Sequence, residues 1–142
     1  MTHSDKATNL IMEFEGCVLT SYQDQNNVWT IGYGHTENVT PGVTITKAQA
    51  VLYLNSDIIS ADSIINNLVK VPLTQNQFDA LVSFVFNIGY SHFVLSTTLK
   101  ELNLKNYNAA ADALLLWKKA AGKTDPGLVR RRIAERNLFL QG

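Results

Sequence analysis

The chain has 142 residues, of which 46% are apolar and 17% charged. This composition excludes an intrinsically disordered chain and fits a single globular domain, residues 1–142. One cysteine, Cys17, excludes an internal disulfide, and no stretch approaches the ~18 apolar residues that a membrane-spanning helix requires.

The net charge is zero, but the charges are unevenly distributed. Residues 1–71 carry three lysines against seven acids, and residues 72–142 carry nine bases against five acids. The C-terminal bases predict a basic face that attracts polyanions such as nucleic acid, a membrane surface or an anionic wall polymer. A solvated helix face with a few ion pairs is the simpler interpretation. These bases are Lys118, Lys119, Lys123, Arg130, Arg131, Arg132 and Arg136.

The first predicted helix covers roughly residues 5–14, with Ser4 as its N-cap. Gly16 suits the left-handed position just past a helix. Glu15 therefore lies at a helix C-terminus, where the helix dipole disfavours a negative charge. This position, beside apolar side chains, favours a carboxylic acid that keeps its proton.

Residues 19–36 are rich in strand-forming side chains and contain the turn sequence Asp24-Gln25-Asn26-Asn27. They predict a small antiparallel hairpin or a three-stranded sheet. Gly32 and Gly34 weaken the strand and indicate either bulges or a close backbone approach to a ligand. Asp24, in the polar turn, is expected to be solvated and ionised, and Thr30 has a hydroxyl that can hold a water against it.

The rest of the chain is predicted to be helical. A helix of about 22 residues follows the cap Thr46 and is long enough to connect two lobes. Thr74, with Gln77 as its capping-box partner, starts a helix that is apolar on nearly every side and ends at Gly89. A helix with this pattern is a central, buried one.

Three further helices are predicted at residues 96–102, with Ser96 as cap, at 107–118 and at roughly 127–139. A loop is expected between the last two. The final helix is predicted to turn its arginines to solvent and its apolar residues inward, namely Val129, Ile133 and Phe139. The architecture is α+β and mostly helical, with a small N-terminal sheet lobe and a larger C-terminal helical lobe.

Two carboxylates and a hydroxyl stand at defined spacings near the start of the chain. Eight residues separate Glu15 from Asp24, and Thr30 follows after five more. Hydrolysis of a glycosidic bond uses a neutral carboxylic acid and an ionised carboxylate, which are the states expected of Glu15 and Asp24. Spacing alone leaves the role open, because most such pairs do no chemistry.

His35 admits several roles: a base, a sugar ligand or a metal ligand. No paired ligands lie near it in the sequence, so neither a metal nor a cofactor is expected. The favoured interpretation is a structural imidazole that is hydrogen-bonded to Asp57 or Asp62. Nearby aromatic residues such as Tyr22 are candidates for stacking on sugars or for core packing.

Three blocks of the sequence resemble the phage lysozyme (endolysin) family, glycoside hydrolase family 24. The first block has the family's Glu, Asp and Thr at the spacings above, followed by Gly-x-Gly-His at residues 32–35. Residues 72–89 are similar to the family's central helix, and Trp117 with residues 127–136 is similar to its closing segment. The resemblance covers nearly the whole chain and implies a lysozyme-like fold, with a cleft between two lobes joined by the long helix.

The resemblance implies a muramidase that hydrolyses the β-1,4 bond between N-acetylmuramic acid and N-acetylglucosamine in peptidoglycan, lysing the bacterial host for phage release. It implies that Glu15 is the general acid, Asp24 the catalytic carboxylate and Thr30 the hydroxyl that positions water. It further places three substrate-binding residues in the cleft, Thr36, Phe86 and Ser96. Ala111 stands where some members have a polar cleft residue.

The resemblance also suggests how the protein reaches its substrate. Residues 1–15 contain no apolar signal-peptide segment, so the expected location is the host cytoplasm until a membrane pore, a holin, gives access to the wall. The expected partner is the peptidoglycan glycan strand, without nucleic acid or membrane insertion, and the expected state is a monomer. The basic face would help to capture the anionic wall.

Two other functions stay open on the sequence alone. A lytic transglycosylase keeps the fold and cleft but uses one carboxylate and forms an anhydro sugar. The presence of Asp24 and Thr30 beside Glu15 argues against it, because that reaction needs no positioned water. A non-enzymatic binder of wall or nucleic acid predicts that Glu15→Gln leaves function intact.

Overall fold

Helices form most of the structure, a computed structural model that describes residues 1–142. None of the helices is both long enough and apolar enough to cross a bilayer. The elements are α1 (Asp5–Glu15), β1 (Val18–Gln23), β2 (Trp29–Gly32), α2 (Lys47–Leu68), α3 (Gln75–Ile88), α4 (Tyr90–Val94), α5 (Thr97–Asn103), α6 (Tyr107–Leu114), β3 (Lys119–Ala120), β4 (Lys123–Thr124) and α7 (Pro126–Leu140). The predicted α+β, mostly helical architecture is confirmed.

The small lobe is the hairpin of β1 and β2. The two strands are antiparallel, with Tyr22 opposite Thr30. A single bridge between Thr20 and Thr44 attaches the following loop to β1. The lobe is therefore intermediate between the hairpin and the three-stranded sheet that the sequence left open.

Helix α2 spans 22 residues and contacts both β2 and α3, so it connects the two lobes as predicted. A capping box starts it: the Thr46 hydroxyl accepts from the Gln49 N–H, and the Gln49 side chain accepts from the Thr46 N–H. Thr74 and Gln77 repeat this arrangement at the start of α3. Both helix starts follow from local sequence.

Helix α3 is the centre of the helical lobe. Eight consecutive residues, 78–85, are buried, and the helix packs against α1, α2 and α7. Asp79, one of two polar residues in this run, accepts hydrogen bonds from the backbone N–H and the hydroxyl of Ser4. Ser4 thus occupies the predicted N-cap position of α1, but its hydroxyl is bonded to α3 and not to the backbone of α1.

The segment between α3 and α7 departs from the prediction. The short helix α4 was not predicted, and α6 ends at Leu114, before the expected end at Lys118. Residues 119–124 form the hairpin of β3 and β4 within the expected loop. Ala121 and Gly122 both have positive φ, 52° and 79°, as a two-residue type I′ turn requires. Only one of these residues is a glycine, so the turn pattern in the sequence is weak.

Helix α7 buries a different face from the one predicted. Phe139 is buried as expected, but Ile133 is 45% exposed, whereas Arg131, Arg132 and Glu135 are buried. The charges can lie inside because they pair: the Nε atoms of Arg131 and Arg132 lie 3.3 and 3.1 Å from the Glu135 carboxylate. A search for an apolar helix face cannot detect buried charges that compensate one another.

The predicted basic face is accordingly smaller than the sequence suggests. Arg131 and Arg132 lie inside the protein, and Arg136 pairs with Asp112 at 2.8 Å. The exposed bases of this region are Lys118, Lys119, Lys123 and Arg130. The prediction that the arginines of this helix face solvent is therefore wrong for Arg131 and Arg132, and capture of the wall by the remaining bases stays a prediction.

Candidate active site

A cleft of about 340 Å³ lies between the β1–β2 hairpin and the C-terminal end of α3. A second hollow of about 280 Å³ shares Thr36 and Phe86 with this cleft and extends to Asp57 and Ser60 on α2. The two hollows adjoin at these shared residues and are together called the groove. Five of the six residues predicted for the site line the cleft, namely Glu15, Asp24, Thr30, Thr36 and Phe86.

The sixth residue, Ser96, does not line the cleft. It is 4% exposed, and its hydroxyl donates to the Phe93 carbonyl at 2.7 Å and accepts from the Leu99 N–H at 3.1 Å. Ser96 is thus the helix cap that the sequence predicted for α5. The structure places its polar atoms inside the protein and not in the cleft, because the cap uses them. Ala111 is fully buried.

Glu15 is the last residue of α1, and Gly16, with φ +64°, ends the helix as predicted. Glu15 Oε2 lies 2.5 Å from Arg131 Nη1, which reaches it from α7. The expected apolar surroundings therefore include a guanidinium, which donates a hydrogen bond to the carboxylate. Sequence reasoning missed Arg131 because it assigned the arginines at residues 130–132 to the surface.

Gly34 passes very close to Glu15. Its φ is +73°, and a Cβ at this position would stand 2.6 Å from Glu15 Oε1. Only glycine leaves room for the carboxylate here. The sequence indicated a close backbone approach to a ligand as one explanation of this glycine; the structure identifies the approached group as the side chain of Glu15.

Asp24 and Thr30 are held by the backbone of the hairpin turn. Asp24 Oδ1 accepts from the N–H groups of Asn26 and Val28, at 2.8 and 2.9 Å. Thr30 is 4% exposed, and its hydroxyl donates to the Val28 carbonyl at 2.9 Å. These bonds orient both side chains, and they leave Asp24 Oδ2 and the lone pairs of the Thr30 hydroxyl for other partners.

Tyr22 lies in the cleft with both carboxylates. It stands opposite Thr30 in the sheet and lines the cleft. Burial raises the pKa of its phenol above the ordinary value of 10.0, and the negative charges of Glu15 and Asp24 raise it further. Both carboxylates thus act on the same phenol. From the sequence, Tyr22 was a candidate for stacking on sugars or for core packing.

His35 has the structural contacts favoured from the sequence. Its Nδ1 lies 2.8 Å from Asp57 Oδ2, and its ring stacks on Tyr53 with 4.3 Å between the centroids. Asp62, the other expected partner, contacts His3. Burial raises the pKa of Asp57, and its contact with His35 opposes that rise. Through these contacts the imidazole holds the segment after β2 against α2.

A mostly helical fold, with a groove that gathers two carboxylates and a hydroxyl beside a small sheet lobe, defines a lysozyme-like glycoside hydrolase. Comparison with known families agrees with this class. The chain belongs to the phage lysozyme family: the family described as Phage lysozyme matches residues 12–135.

Individual relatives match over nearly their full length. The endolysin of Acyrthosiphon pisum secondary endosymbiont phage 1 is 46% identical over 140 residues, 96% of each chain. The endolysin of Salmonella phage P22 is 51% identical over 131 residues, 89% of each chain. Among solved structures, the muramidase domain of SpmX from Asticaccaulis excentricus has a TM-score of 0.87 at 41% identity, over 96% of each chain. The protein is a lysozyme of the endolysin type, a glycoside hydrolase that degrades peptidoglycan.

The contact between Gly34 and Glu15 predicts that Gly34→Ala lowers the rate of wall clearing by more than its backbone strain alone would explain. The new Cβ would displace the Glu15 carboxylate, and a displacement of about 1 Å can cost on the order of 10²-fold in rate. The rate of clearing of purified cell walls measures the activity, and urea denaturation measures the free energy of unfolding.

Gly42→Ala is the matched control for this substitution. Gly42 also has a left-handed backbone, with φ +75°, but a Cβ there meets nothing within 4 Å. It should cost a similar ~1–2 kcal/mol of backbone strain without loss of wall clearing. An equal loss of clearing in both variants would assign the effect to strain and contradict the prediction.

Proposed function

We propose that the protein hydrolyses the β-1,4 bond between N-acetylmuramic acid and N-acetylglucosamine, with Glu15 as general acid and Asp24 as catalytic carboxylate. The observation that carries the proposal is that Glu15, Asp24 and Thr30 line one cleft. The two adjoining hollows of the groove support a substrate with several sugar units, such as a glycan strand, with Thr36 and Phe86 as proposed contacts.

The attacking water is proposed to lie between Asp24 and Thr30. The Thr30 hydroxyl uses its hydrogen on the Val28 carbonyl, so it accepts a hydrogen bond from this water. A water that donates to both Thr30 and Asp24 presents its lone pair to the anomeric carbon. As the new C–O bond forms, the glycosidic C–O bond breaks. Asp24 takes a proton from the water, and Glu15 gives its proton to the leaving oxygen.

One catalytic domain over residues 1–142 remains part of the proposal. The pairing of Glu15 on α1 with Arg131 on α7 supports it, because both ends of the chain then contribute to one site. A monomer without nucleic acid as partner, held in the host cytoplasm until a holin gives access to the wall, also remains a prediction.

Mass spectrometry of the products tests the chemistry. Digestion of purified peptidoglycan in heavy-oxygen water should give reducing-end sugars that carry one labelled oxygen, since hydrolysis adds water to the anomeric carbon. A lytic transglycosylase instead gives unlabelled anhydro sugars, each lighter by one water. Anhydro sugars as the main product would contradict the proposed role of Asp24 and Thr30.

A further inference from the structure

A network of buried charges holds Arg131 against Glu15. Arg131 donates from Nε to Glu135 at 3.3 Å and from Nη2 to the Ser83 carbonyl at 3.0 Å, while Nη1 contacts Glu15. Arg132 Nε lies 3.1 Å from Glu135 Oε1. Glu135 is fully buried and lines neither hollow of the groove. It reaches Glu15 only through Arg131.

The surroundings of Glu135 suit its ionised form. Its Oε2 accepts from the Ser83 hydroxyl at 2.6 Å and from Arg131, and its Oε1 faces Arg132. The two guanidiniums can only donate, so the Ser83 hydroxyl is the one neighbour that could accept a proton from the carboxyl. Burial raises the pKa of Glu135, and the two guanidiniums and the hydroxyl oppose that rise.

The charges around Glu15 determine how readily it takes up a proton. Arg131 contacts it and Arg132 acts on it electrostatically, and both favour the ionised carboxylate. Glu135 is the other carboxylate in contact with Arg131. On α6, which also packs on α7, Asp112 is paired with Arg136. The remaining charged or titratable groups beside Glu15 are Glu13, Tyr22, Asp24, Asp125 and Arg130.

We propose that Glu135 is a positioning residue for the general acid: its buried negative charge offsets Arg131, so that Glu15 can hold the proton that it donates. Arg131 is needed to orient Glu15, but a guanidinium without a counter-charge would keep Glu15 ionised and inactive. Glu135 supplies this counter-charge from outside the cleft, where it does not meet the substrate. The inference rests on the proposed acid role of Glu15.

The pH dependence of wall clearing by Glu135→Gln tests the inference. In the parent protein the rate of wall clearing falls at high pH as the acid loses its proton, and this falling part of the pH–rate profile is the basic limb. In the variant this limb should move by roughly one pH unit to lower pH, so that the rate at a fixed pH on the limb falls about tenfold. Glu135→Asp keeps the charge and should return the limb toward that of the parent. A purely structural role of Glu135 would lower the rate equally at all pH values.

Ser83→Ala gives the same readout with every charge retained. It removes the hydroxyl that donates to Glu135 at 2.6 Å and also accepts from Arg131 Nη2 at 3.4 Å, so the limb should move in the same direction by a smaller amount. If the limbs of Ser83→Ala and of every folded Glu135 variant coincide with that of the parent, the inference is overturned. That result leaves the proposed function intact as long as Glu15→Gln abolishes clearing. If Glu15→Gln remains active, the proposed function itself fails.

Discussion

Glu15→Gln is expected to abolish the clearing of purified cell walls while the fold survives. Glutamine keeps the size of the side chain and an oxygen for Arg131 Nη1, but it has no acidic proton for the leaving oxygen. Removal of a general acid costs on the order of 10²–10⁴-fold in rate. The initial loss of turbidity of a wall suspension measures the rate, and circular dichroism with urea unfolding checks the fold.

The loss of stability in this variant should be limited, because Arg131 keeps its contacts with Glu135 and Ser83. We expect a loss of at most about 1.5–3 kcal/mol, the contribution of one charged hydrogen bond. Glu101→Gln is the matched control, since it makes the same chemical change on α5 at a residue that lines neither hollow of the groove. If Glu15→Gln clears walls as fast as this control, Glu15 is not the acid.

Features that depend on a few neighbouring residues could be predicted from the sequence. Thr46 and Thr74 start helices at the expected positions because each capping box involves residues only three positions apart. Gly16 and Gly89 end helices where expected, with φ of 64° and 82°. In each case a short segment contains all the interactions that define the boundary.

Contacts between distant segments could not be predicted in the same way. Arg131 meets Glu15 from 116 positions away, and no local pattern relates the two. The buried face of α7 was misassigned because periodicity analysis places charged residues in solvent, whereas Arg131, Arg132 and Glu135 are buried together. The same misassignment is why the sequence predicted more exposed bases than the structure has. The family resemblance located the catalytic candidates but did not reveal the charges that act on them.

The buried ion pairs of α7 predict a large loss of stability in Glu135→Leu, about 3–5 kcal/mol. The substitution leaves Arg132, whose side chain is fully buried, without a carboxylate. Its remaining contacts are the Asn87 amide oxygen and the face of the Phe84 ring, and its Nη1 has no hydrogen-bond partner. Burial already lowers the pKa of Arg132 to about 10, so loss of the counter-charge makes its buried positive charge still less favourable.

The double variant Arg132→Met/Glu135→Leu should be more stable than Glu135→Leu alone, by roughly 2 kcal/mol, although it carries one more substitution. Removal of Arg132 eliminates the uncompensated charge, and Arg131 still has Glu15 as its partner. Urea unfolding of the parent, Arg132→Met, Glu135→Leu and the double variant gives the four unfolding free energies of a double-mutant cycle. Arg132 and Glu135 meet at 3.1 Å but are not aligned for a hydrogen bond, so the expected coupling is electrostatic. If the loss of unfolding free energy in the double variant equals the sum of the losses in the two single variants, the two charges are not coupled.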